Sequence, residues 1–157
     1  MSMLGWGLGD IIAISQLAVK VRTAYKDAPD NYRHISEEVK SLQTMIDKAV
    51  HHFNSPTLNS NNRQEGQKVL EGCESVLEDL DSLIEKYNSL SPVKKVQLGI
   101  IEDIPTLRAR LISNTGFLNS FIQRYDISTI TIEYIMLISL ISTSVVRCVR
   151  CVRCKHG

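Results

Sequence analysis

Apolar residues recur along this chain at alternating spacings of three and four, the signature of helices that each bury one stripe. Ile11, Ile14, Ala18, Val21 and Tyr25 make the first stripe. Tyr32, Ile35, Val39, Leu42, Ile46, Ala49 and Phe53 make the second. The third runs Val69, Cys73, Val76, Leu80, Leu83, Tyr87 and Leu90, and Leu70, Leu77 and Ile84 widen it by a flanking row. That width suits a helix held between two neighbours. The fourth is Ile104, Leu107, Leu111, Asn114, Leu118, Phe121 and Tyr125. Its asparagine points a polar group at the core and therefore needs a partner there.

The punctuation agrees with this division. Asp30 after Pro29 is placed to cap the second helix, and "NSPTLNSNN" (54–62) predicts a loop, since Asn, Ser and Pro compete with or block helix. "NSLSPVKK" (88–95) breaks the third helix, and Asp103 with Pro105 marks the start of the fourth. No alternation of strands and helices precedes residue 126. The expectation is an all-α fold, an antiparallel helical bundle of about four helices over 1–125, followed by a tail, 126–157, that departs from the pattern.

At 157 residues the chain is long enough to bury one core. Its net charge of +1 conceals an asymmetry: residues 1–146 carry 14 basic and 17 acidic side chains, and residues 147–157 carry four basic ones and no acid. A mildly acidic body offers no broad basic face, which argues against nucleic acid as a partner. Three of the four cysteines lie in the last ten residues, so they form no disulfide framework. A reducing, cytoplasmic compartment follows, with membrane association left open.

Candidate chemistry in the body is sparse. There is no phosphate-binding loop, no dinucleotide fingerprint and no His-Glu-x-x-His. His51 and His52 fall at a helix C-terminus, where the macrodipole alone favours them. Glu71, Glu74, Glu78, Asp79, Asp81 and Glu85 flank the third stripe, which reads as a solvated face, because a bundle metal site projects its carboxylates inward. No nucleophile and base are paired by spacing, so the reading is non-enzymatic and without cofactor. The N-terminal "MLGWGLGDIIAISQLAV" carries one charge, Asp10, and is apolar almost all round. Such a helix is either buried centrally or destined for lipid. Leu4, Trp6, Leu8, Ile11 and Ile12 are the membrane-contact candidates.

Four stretches, "GLGDIIAISQLAVKV", "KDAPDNYRHISEEVKSL", "GCESVLEDLDSLIEKYNSL" and "IEDIPTLRARLISNTGFLNSF", together resemble the fungal N-terminal helical domain of NLR-like (STAND, NACHT-associated) proteins, in the HeLo-like group. The likeness covers about residues 5–122. It implies a signalling or effector module of programmed cell death and heterokaryon incompatibility. Such a module works through a protein partner or self-association, and by membrane contact of the segment matching Leu4 to Leu17. The chain departs from the family in two respects. No nucleotide-binding module or repeat follows the bundle, so an NLR-like regulator would act in trans. The family's further polar helix is replaced by "RYDISTITIEYIMLISLISTSVVRCVRCVRCKHG".

That tail admits several readings. Ile127 to Val146 is 20 residues with one charge, Glu133, followed by Arg147, Arg150, Arg153 and Lys155. This is the order of a tail anchor over 127–155, although a central acid costs about 2–3 kcal/mol on insertion. The alternation in "ISTITIEYI" also suits a strand. Cys148, Cys151, Cys154 and His156 supply four zinc-type ligands within nine residues, a crowded arrangement for a tetrahedral site. The abrupt change of pattern and the Val-Arg-Cys triplets fit sequence appended to a truncated fold, through a mis-called exon or intron read-through.

Overall fold

A computed structural model describes residues 7–26, 28, 30–54, 58–90 and 103–153. Four helices account for nearly all of them: α1 (Leu8–Lys26), α2 (Asp30–Phe53), α3 (Ser60–Ser89) and α4 (Asp103–Arg153). The chain divides into two units, Met1–Ile122 and Gln123–Gly157.

The first unit is a four-helix bundle, and cross-helix contacts fix its directions. Ser15 reaches Asp47 and Ser36 reaches the Arg22 carbonyl, so α1 and α2 run antiparallel. Tyr32 lies against Tyr87, and Phe53 lies near Gly66, which sets α2 against α3 in the same sense. Arg110 bonds Asp79 while Asn114 bonds Gly72, so α4 returns antiparallel to α3. The alternating directions explain how short connections suffice.

The core follows the sequence stripes closely in α1 and α2. All five residues of the first stripe and all seven of the second are buried. In α3 the seam is rotated: Leu70, Leu77 and Ile84, expected as the flank, are buried, while Val69, Leu83, Tyr87 and Leu90 are only half-buried. In α4, Leu107, Leu111, Leu118 and Phe121 are buried as expected, and Ile122 joins them. Asn114 finds its partner across the interface, its Nδ2 donating to the Gly72 carbonyl oxygen at 2.8 Å.

Helix α3 begins earlier than expected. Asn59 is its N-cap, with the side-chain oxygen accepting from the Asn62 amide at 2.8 Å. The last three residues of the predicted loop are therefore helical: the same Asn that disfavours a helix interior satisfies a helix start.

In the second unit the strand that the alternation in "ISTITIEYI" also suited is not formed; the segment is helical as part of α4. A lone strand would leave its backbone groups unpaired, and among the described residues there is no strand to accept it. Extending an existing helix adds one hydrogen bond per residue without a new nucleus, which overrides the β-branched preference.

Candidate functional site

Helix α1 separates two apolar rows. Ile11, Ile14, Ala18, Val21 and Tyr25 face the core, at 1% exposure or less. Leu8, Ile12 and Val19 remain 40%, 44% and 45% exposed. At 3.6 residues per turn these three lie within about 40° of one another, roughly 120° from the middle of the core row. Of the membrane-contact candidates that are described, Leu8 and Ile12 are on the surface, and Ile11 is not. Ile11 is withdrawn from that set, because the buried stripe passes through it. Leu4 and Trp6 lie outside the described residues.

Polar contacts pin α1 so that this row stays outward. The Tyr25 hydroxyl donates to the Leu80 carbonyl at 2.9 Å, and burial raises its pKa well above the usual phenol range. Lys20 bonds Asp81 at 2.6 Å and Glu85 at 3.1 Å; those two acceptors raise its pKa. Ser15 donates to Asp47 at 2.6 Å.

The acidic side of α3, expected to be a solvated face, is therefore also a set of interhelix ties. Arg110 of α4 bonds Asp79 at 2.6 Å and Ser75 at 3.2 Å. On the other flank, Arg108 clasps Glu38 of α2 through both Nε and Nη2. The signal for these ties was present in the sequence as two arginines interleaved with the fourth stripe. Exposed pairs of this kind contribute about 0.2–1 kcal/mol each, so they set orientation more than stability. Burial first, then Glu78, Asp10 and Glu71, raise the pKa of Glu74.

Beside the Arg108–Glu38 clasp an open groove of about 370 Å³ runs between α2 and α4. Glu38 and Met45 line one wall, and Ile112, Thr115, Gly116 and Asn119 the other. Its lining holds one carboxylate, Glu38, already engaged by Arg108. Ile112 at 57% and Phe117 at 62% exposed add apolar surface on α4 that the seam pattern did not single out. A smaller cavity of about 10 Å³ lies among Tyr25, Tyr32, Leu83, Ile84, Tyr87 and Ile104, too tight for a ligand.

Among the described residues no group of three or more His, Cys, Asp and Glu is arranged to hold a metal. The side chains of the sequence candidates Cys148, Cys151, Cys154 and His156 lie outside those residues. Cys73 is buried in the bundle, and burial pushes its thiol up to about 12. Among the described residues no helix is long and apolar enough to cross a membrane.

Compared with family models, curated proteins and solved structures, the chain matches none.

Proposed function

We propose that the chain is a non-enzymatic signalling or effector module that acts by protein–protein contact, with the outer row of α1 as its contact surface. One observation carries this reading: Leu8, Ile12 and Val19 stay exposed on a helix whose core row is fully buried. An aligned apolar row is a surface that a partner can cover, whereas scattered single residues are not. The resemblance to the fungal NLR-like N-terminal domain supplies the class of activity, cell-death or incompatibility signalling. It also supplies the candidate partners: an NLR-like regulator in trans, or another copy of this chain.

The test is growth of a fungal host expressing the full chain. Wild type should arrest growth, and Leu8→Lys with Ile12→Lys should relieve the arrest while circular dichroism of the purified variant is unchanged. Equal arrest by the two chains, or none by wild type, would remove the effector reading.

A further inference from the structure

The second unit presents an apolar surface of a different kind. The eight large hydrophobic side chains between Ile130 and Leu140 are all 48–66% exposed. They do not form a row. At about 100° per residue, Ile130 and Leu137 lie on one side of the helix, Ile132 and Met136 on the other, with Ile138 and Leu140 between them on either hand, and no gap around the circumference exceeds about 60°.

That distribution discriminates between occupants. A protein groove, or a second copy of the chain, covers one side of a helix and leaves the other in water. A helix hydrophobic all round is covered either by several protein elements at once or by lipid, and the charge that follows this one favours lipid. The following sequence has the matching charge, because Arg147, Arg150, Arg153 and Lys155 are basic with no acid among them. Basic residues beside an apolar segment favour anionic headgroups.

We propose that residues 130–140 insert among the acyl chains of an anionic bilayer, so that this helix, and not α1, is the lipid-binding element. Eleven residues rise about 16 Å, roughly half of a hydrocarbon core of about 30 Å, so this stretch alone is too short to span it. Glu133 is the single acidic or basic residue in the stretch and opposes insertion. The inference is independent of the role given to α1.

The experiment uses the full chain with phosphatidylserine-containing vesicles, read by co-sedimentation and by tryptophan emission. Tyr134→Trp in a Trp6→Phe background places one reporter in the stretch. Its emission should shift to the blue and be quenched by bromines on the acyl chains. Ile135→Lys and Leu137→Lys, about 200° apart, should each weaken binding roughly tenfold, and Glu133→Leu should strengthen it by a similar factor. Circular dichroism checks that each variant keeps its helix. Leu8→Lys with Ile12→Lys should bind vesicles as wild type does. If only one of the two lysine variants weakens binding, the occupant is a protein-like face and the proposal falls. Loss of binding only in the α1 variant would move lipid contact there. Self-association in the ultracentrifuge that survives without lipid and is broken by either lysine would assign the stretch to a second copy.

Discussion

At the residue scale, the bundle is held by a few places where one atom decides the fit. Gly66 on α3 is one. A Cβ there would lie 2.5 Å from the ring tips of both Phe53 and Phe121, whose rings stack with centroids 6.0 Å apart. Alanine in place of glycine gains about 1 kcal/mol in helix propensity, but overpacking against two rings costs about 1–3 kcal/mol. Gly66→Ala is expected to lower stability in urea unfolding, despite its better propensity. Gly116, with nothing within 4 Å of its Cβ position, is the control: Gly116→Ala should raise stability by up to about 1 kcal/mol. Asn114 behaves differently, because its amide donates to the Gly72 carbonyl from a half-buried position. The need for that partner was legible from its place in the stripe. The partner was not, since a mid-helix carbonyl leaves no mark in the sequence.

At the scale of elements, periodicity located the helices and their buried rows, and it failed where a second force competed. In α1 and α2 every stripe position is buried. In α3 two candidate rows were both apolar, and the choice fell to the neighbours: Tyr25, Phe53 and Phe121 press on the side that holds Leu80 and Gly66. In α4 a β-rich stretch became helix because it continues one already nucleated. Spacing alone picked the core row of α1, and the positions of α2 and α3 leave Leu8, Ile12 and Val19 outside it. Every hydrophobic side chain buried among the described residues lies between Ile11 and Ile122. Ending the chain after Asp126 is therefore expected to leave the thermal midpoint of the bundle within a few degrees of the full chain. A large drop would mean that the second unit carries part of the core.

At the scale of the whole molecule, buried titratable groups set how stability responds to alkali. The folded-state pKa of Cys73 is pushed up to about 12 by burial, and that of Tyr25 is also raised, by burial first and then by Tyr32 and Asp81. Both acids hold their protons more tightly when folded than when unfolded. Their contribution is complete below the unfolded values, about 8.5 for Cys and about 10 for Tyr, and it is lost as pH rises toward the folded values. Thermal midpoints should hold steady to about pH 8 and fall between about pH 9 and 12, and Cys73→Ala should flatten the first part of that decline. A flat profile to pH 12 would contradict the burial of both groups.

The functional reading rests on α1 having one row in the core and one on the surface, and neighbouring residues test that directly. The measurement is thermal and urea unfolding of the full chain carrying Ile11→Lys beside one carrying Ile12→Lys. Ile11 is 1% exposed and Ile12 is 44% exposed. A buried unpaired lysine costs more than about 4 kcal/mol, so Ile11→Lys should be largely unfolded or far less stable, whereas Ile12→Lys should stay within about 0.5 kcal/mol of wild type. Equal effects at the two positions would mean that α1 is either buried all round or loosely held, and its outer row would no longer be available as a contact surface.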